Sequence, residues 1–226
     1  MYRYETHMHT SPVSRCAEAT VEETLTFYKE LDYAGVFLTN HFLDGNLNIE
    51  RDRPYEERLE FYFSDYDKAL EVGKTLDLPV FLGVELSYRG TDFLIYGLDK
   101  EWYFAHPEIM EIKKSQELTM MKDAGALIIQ AHPFRESPWI DHVRLFPKQV
   151  HGVEIRNSNR PKEENRMTKL YADHYGLLEF AGTDNHKGPA QKRLAGMCCQ
   201  EPVKDVQDFI AKVKNMEASV FMLTLE

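Results

Sequence analysis

Five short apolar runs in this chain stop at side chains of the kind that ligate metal ions. They end at Thr6-His7-Met8-His9, Thr39-Asn40-His41, Val84-Glu85, Ala131-His132-Pro133 and Thr183-Asp184-Asn185-His186. Longer amphipathic stretches separate them, and such alternation predicts parallel βα units. In a closed sheet of that kind the strand C-termini share one mouth. The ligand-type residues should therefore converge, although they are spread over 180 positions of sequence.

At 226 residues the chain is long enough for one domain with a large core, and no linker, repeat or low-complexity stretch divides it. A single domain spanning 1–226 is expected. The net charge of −10 argues against binding long nucleic acid or an anionic membrane surface, though a small anionic substrate remains compatible with it. Three cysteines, with no CxxC pair among them, suit a reducing compartment. The N-terminus has no apolar leader and no run is long enough to span a bilayer, so a cytoplasmic protein is expected.

Strands are predicted at 2–7, 35–39, 79–86, 91–98, 126–130, 151–155, 177–181, 194–199 and 219–225. Helices are predicted at 20–32, 56–76, 107–124, 161–175 and 203–215. Thr20 should cap the first helix, with Glu22 and Glu23 in its first turn. Residues 42–55 read as a loop over the mouth, able to serve as a lid. Six or seven parallel strands, without a Gly-x-Gly-x-x-Gly fingerprint, predict a barrel-like closed sheet rather than a doubly wound one.

Alternation along a strand puts His7 and His9 on one face, where both can hold one ion. Two histidines at that spacing say little alone. Five of nine histidines, with Glu85 and Asp184, at strand ends say more. Seven ligands are too many for one ion and suit two, bridged by a carboxylate.

These motifs, in this order over nearly the whole chain, resemble the PHP (polymerase and histidinol phosphatase) family. The resemblance implies an α/β fold of a distorted (β/α)7 TIM-like barrel and phosphoester hydrolysis. It implies a cluster of two divalent metal ions, three in some members, drawn from zinc, manganese and iron. His7, His9, Asp184 and a bridging Glu85 would hold the first ion, and His41 and His186 the second. His132 would contribute to a third. Two positions depart from the family pattern. Where many members place an Asp or His after HxH, this chain has Ser14-Arg15-Cys16, leaving Cys16 or Glu18 as candidates, or a merely packed thiol. Where three-metal members carry a histidine after Glu85, it has Asp92. Two ions are therefore expected.

Arginine forks suit phosphate oxygens. Arg135 and Arg160 are the chosen substrate contacts. Arg156 is as readily an internal partner of Glu154. Arg3 and Glu5 are expected to pair lower in the barrel. His142, His151 and His174 match no ligand position and are assigned to surface or helix roles. The expected activity is hydrolysis of a small phosphomonoester, histidinol phosphate-like or a nucleotide, by a metal-activated hydroxide. Asp184 would orient it, and His132 or His186 would protonate the leaving group. Phosphodiester cleavage of short nucleotides, amide or lactone hydrolysis, and a non-catalytic metal-stabilised barrel are the competing readings.

Overall fold

The computed structural model describes residues 1–226. Nine strands form one sheet: β1 (Tyr2–Glu5), β2 (Gly35–Leu38), β3 (Val80–Tyr88), β4 (Thr91–Tyr96), β5 (Leu127–Ala131), β6 (Gly152–Asn157), β7 (Leu178–Gly182), β8 (Arg193–Cys199) and β9 (Ala218–Thr224). Six helices accompany them: α1 (Val21–Glu30), α2 (Tyr55–Leu76), α3 (Lys100–Ala105), α4 (Lys114–Asp123), α5 (Lys162–Tyr175) and α6 (Val206–Lys214). The spatial order is β7-β6-β5-β4-β3-β2-β1-β8-β9.

The sheet nearly closes on itself. Beyond the end of β1, Met8 bridges Asn185 in parallel, with His9 N–H donating to the Asn185 carbonyl (2.9 Å) and Asn185 N–H to that of His7 (3.2 Å). These bonds bring the two strands carrying HxH and Asp-Asn-His side by side at the mouth.

The barrel is not a uniform run of βα units. β4 pairs antiparallel with both β3 and β5, and β8 pairs antiparallel with β1 and β9. The reason for β4 is local. Only Arg89 and Gly90 join it to β3, both with positive φ (52° and 83°), the backbone of a tight hairpin turn. A parallel return needs a crossover of a dozen or more residues. β4 therefore starts at the mouth where β3 ends, and Asp92 lies at its mouth end.

Strand alternation divides the core. Phe93 and Ile95 of β4, Val84 and Leu86 of β3, and Val153 and Ile155 of β6 pack with α2 and α4. Leu94 and Tyr96 join Tyr4, Phe37, Ile129 and Phe180 in a second cluster, into which α6 inserts Phe209. The Phe209 ring lies 4.4 Å from that of Phe37 and 6.1 Å from those of Tyr96 and Phe180.

The predicted helices form with small shifts, except at 107–124. There a 3-10 turn at Pro107–Met110 comes first and α4 starts only at Lys114, while α3, with Asp99 as its N-cap, precedes the predicted span. Pro107 disfavours helical backbone at His106, which separates α3 from the 3-10 turn. Thr20 and Glu23 form the reciprocal cap of α1. The 42–55 segment is not a free lid. Phe42, Leu43 and Leu47 are buried in the core, Asn48 N–H donates to Val13 O (2.9 Å), and Phe42 N–H to Glu85 O (2.8 Å). It forms a packed rim. No helix is long and apolar enough to cross a membrane.

Candidate metal centre

Seven strand-end residues meet at the mouth. Glu85 lies at the centre of one half. Its carboxylate oxygens are 3.1 Å from His7 Nε2, 3.4 Å from His9 Nε2, 2.6 Å from His41 Nδ1 and 3.6 Å from His132 Nε2. Asp184 faces the other half, at 3.4 Å from His7, 3.3 Å from His9, 3.3 Å from His186 and 3.9 Å from His132. The His9 ring packs against those of both His41 and His186, with centroids 4.4 and 4.2 Å away. Three ligand groups have donor atoms within 4.8 Å of one another: His7/His9/Asp184, His7/Glu85/His132 and His9/His41/His186. Asp184 and His132 both hold positive φ, 59° and 27°. Such backbone is uncommon outside glycine and gathers at functional sites.

Neighbouring groups fix the tautomers. The Glu154 carboxylate accepts from His7 Nδ1 (2.9 Å), leaving Nε2 as the lone-pair nitrogen towards Glu85 and Asp184. Ser14 Oγ donates to Asn40 Oδ1 (2.9 Å) and accepts from His41 N–H (3.1 Å). Its remaining contact, with His9 Nδ1 (3.3 Å), must come from an imidazole N–H. His9 Nε2 is thus also a free lone pair. The Asp184 carbonyl accepts from His186 Nδ1 (2.9 Å).

The electrostatics suit a cation. Burial pushes the Glu85 carboxyl up, but the charges of His41 and His7, with hydrogen bonds from His132 and His41, outweigh it and hold it well below the usual range. Asp184 is held down against burial by His7 and His186. Burial opposes charge on His7, yet Asp184, Glu154 and Glu85 raise it. His186 is likewise raised, to about 9, by Asp184 and Cys16. His9 goes the other way: burial, then the charges of His186 and His41, lower it well below its ordinary value. Ionised carboxylates ringed by imidazoles are what a divalent ion binds by displacing protons. Buried His9 Nε2, His41 Nδ1 and Glu85 Oε2 have no aligned hydrogen-bond partner, although they crowd together. Such orphaned atoms need an explanation, and a cation supplies one. The donor set fits divalent metal.

The centre opens into a cleft of about 630 Å³, lined also by Cys16, Asn46, Arg51, Arg89, Asp92, Arg135 and the exposed Trp139. Arg135 lies in it, 2.8 Å from Asp92 and donating to Gly90 O (3.1 Å). Arg160 does not line it. Its guanidinium forks onto Glu164 at 2.7 and 3.1 Å at the start of α5. Sequence reasoning missed Arg51 and Arg89. Arg51 sits in the rim loop, and Arg89 in the hairpin turn, so both carried a positional signal.

Other expectations shift. Glu154 pairs with His7, not Arg156, and a register irregularity between Glu154 and Arg156 breaks their common face. Arg3 and Glu5 do not pair. Arg3 donates to Leu31 O and lies over the Tyr33 ring. Glu5 accepts from the backbone N–H of Thr6, His7 and Thr183 and from Tyr28 OH, tying β1 to β7. His151 is not a surface residue. Half-buried, it accepts Ile128 N–H on Nδ1 (3.1 Å) at the start of β6. Cys198 and Cys199 are buried free thiols in β8.

The sequence matches no protein-family profile and no curated protein. Solved structures do match. A two-domain Bacteroides vulgatus protein, described as containing a predicted PHP-like metal-dependent phosphoesterase, aligns over 97% of this chain with a TM-score of 0.67 and 14% identity. The chain spans 64% of that protein's length. A Bifidobacterium adolescentis protein, named provisionally as a metal-dependent phosphoesterase, aligns over 93% of this chain and 95% of its own (TM-score 0.58, 14% identity). A Chromobacterium violaceum amidohydrolase aligns over 84% of this chain and 89% of its own (TM-score 0.55, 14% identity). The chain shares its fold with PHP-like proteins. That fold serves proteins named as metal-dependent phosphoesterases and as an amidohydrolase, and the mouth described here carries a metal-ligand set on it.

Proposed function

We propose that the protein is a metal-dependent phosphoesterase of the PHP type that hydrolyses a small phosphomonoester. One observation carries the reading: five histidines converge on two ionised carboxylates in a cleft that also holds Arg51, Arg89 and Arg135. Three arginines on the rim of a protein of net charge −10 favour an anionic substrate over a neutral amide or lactone. The cleft volume suits a small molecule.

His7, His9, Asp184 and Glu85 would hold one divalent ion, and His41 and His186, beside Glu85, a second. Bound there, divalent ions lower the pKa of water and offset charge on phosphoryl oxygens. The chain's own groups do the rest. Arg135, braced by Asp92, presents its fork to the phosphoryl oxygens, with Arg89 and Arg51 nearer the rim. Asp184 accepts a hydrogen bond from the attacking water and orients it. His132, whose Nε2 faces the Asp92–Arg135 pair at 3.9 Å from Asp92, delivers a proton to the leaving alkoxide as its bond to phosphorus breaks. Glu154 keeps His7 in its ligating tautomer.

The test is turnover of a panel with manganese or zinc added: chromogenic phosphomonoesters, a phosphodiester and a chromogenic amide. Phosphate release from monoesters, lost in His7→Ala together with bound metal, is expected. Cleavage confined to the diester or the amide would move the assignment to that class.

A further inference from the structure

Resting on the phosphoesterase reading above, we propose that Trp139 sets the specificity of the cleft by stacking on a planar aromatic ring carried by the leaving group. The preferred substrates are then phosphomonoesters of nucleosides or aryl-bearing alcohols. Those of bare sugars and aliphatic alcohols are poor ones.

The make-up of the cleft singles this residue out. Its metal end is occupied by histidines and carboxylates that face one another, and its walls carry Asp44, Asn46, Arg51, Ser87, Arg89 and Arg135. All of these are polar or charged. Trp139 is the one large apolar surface among them, and it is 74% exposed. An apolar part of a bound ester can therefore leave water only against the indole. A flat, rigid indole gains most from another flat ring, which meets it across a whole face, and less from a puckered, hydroxylated sugar. Such stacking tolerates any base, because every base has a π-face.

The backbone aims the indole at the cleft. Ile140 N–H donates to Ser137 O (2.9 Å), closing a turn with Pro138 and Trp139 at its corner. Proline is favoured at the first of those two positions. Ser137, Pro138, Ile140 and Asp141 line a separate cavity of about 510 Å³, which Trp139 does not border. Trp139 alone of this turn lines the metal cleft.

The turn is also held in place. A Cβ on Gly90 would lie 2.7 Å from Ile140 Cγ1, so the bare glycine lets Ile140 seat on the β3–β4 hairpin. Arg144 Nη1 donates to Arg89 O in the same hairpin (2.9 Å). The Gln130 side chain of β5 donates to Arg144 O (2.7 Å) and accepts from Phe146 N–H (3.2 Å). On the other side, Glu136 N–H donates to the Glu164 carboxylate (3.2 Å). The indole thus stands on a preformed frame, and stacking on it forfeits less ordering entropy. Arg89, which faces the anionic part of the ester, belongs to the hairpin on which that frame rests.

Two matched pairs of substrates, offered to the metal-loaded protein, test this. One is a purine nucleoside monophosphate against the same sugar phosphate without its base. The other is benzyl phosphate against cyclohexylmethyl phosphate. Within each pair the leaving oxygen is alike and the flat ring is the difference. Wild type should favour the ring-bearing member of at least one pair by about 5- to 150-fold in kcat/KM, the range a stacked base supplies. Trp139→Ala should lose that preference, and Trp139→Phe should keep most of it. A preference confined to the first pair would identify the ring as a nucleobase, and one confined to the second as an aryl group; either supports the stack. Equal turnover within both pairs, or a preference that survives Trp139→Ala, would overturn the stacking and leave the phosphoesterase standing. Binding reads the same contact without catalysis. The chain has two tryptophans, and Trp102 stacks on His106 (4.4 Å between ring centroids) outside the cleft. A non-hydrolysable phosphonate analogue of the nucleotide should quench the fluorescence of the zinc-loaded protein saturably, and Trp139→Phe should abolish the quench. The base-free sugar phosphonate should leave the fluorescence unchanged. No turnover of any ester, with a Trp139-dependent quench, would overturn the phosphoesterase reading alone. No turnover and no quench would overturn both.

Discussion

At the scale of single residues, the mouth separates groups that hold charge from groups that move protons. His132 is assigned the proton transfer, and a general acid contributes about 100- to 10,000-fold where the leaving group is poor. His132→Gln should therefore slow hydrolysis of alkyl phosphates by that order and of a nitrophenyl phosphate far less. Equal losses on both would assign His132 to binding or ligation instead. Far from the centre, His151 gives a pH effect. Burial, aided by the charges of Lys214 and Lys122, lowers it to about 4. A free histidine titrates near 6.5, so between pH 6.5 and 4 the unfolded chain binds the extra proton and the folded one does not. The contribution of His151 is therefore complete above about 6.5 and lost as pH falls towards 4. Discounted for partial exposure, it amounts to about 1–2 kcal/mol. Denaturant melts of His151→Asn should show a shallower fall in stability over that window than wild type.

Elements position the site through close backbone approach. At the end of β7, a Cβ on Gly182 would lie 2.4 Å from His7 Cβ and 2.7 Å from Glu154 Oε1. Neither neighbour is a flexible chain end, since His7 is committed to Glu154 and both are fully buried. Gly182→Ala should cost about 1–3 kcal/mol as overpacking and lower metal stoichiometry by displacing His7. Thermal melts with metal analysis check both, and a variant with full metal and unchanged stability would contradict that placement. The reversed strands matter equally. Because β4 begins where β3 ends, Asp92 reaches the mouth and braces Arg135, which a parallel strand would have carried to the opposite end.

At the scale of the whole molecule, the ligands come from β3 and from the ends of β1, β2, β5 and β7, so a bound ion ties together segments that span the chain. An ion that binds only the folded state stabilises it, by about 2.7 kcal/mol at 100 times its Kd. For a domain of this size that corresponds to roughly 5–10 °C in Tm. Chelation should lower the melting temperature by about that amount, and readdition should restore it. A melting temperature indifferent to chelation would argue against ligands drawn from so many strands.

Much of this was legible along the chain. Apolar runs ending in His, Glu or Asp mark strands and their mouth ends, because side-chain chemistry and local backbone preference are written residue by residue. The cap at Thr20 is local in the same sense. What the sequence left open depends on pairs far apart. Glu154 meets His7 across 147 positions, and that bond selects the ligating nitrogen. Arg160 was a reasonable phosphate contact until Glu164, one helical turn on, claimed its fork. Arg51 and Arg89 became cleft residues only when their loops packed over the mouth. Residue types and strand ends thus belong to the sequence. Tautomers, pairings and which cations face the cleft belong to the tertiary structure, because hydrogen-bond geometry and burial are set by neighbours in space, which spacing along the chain does not specify.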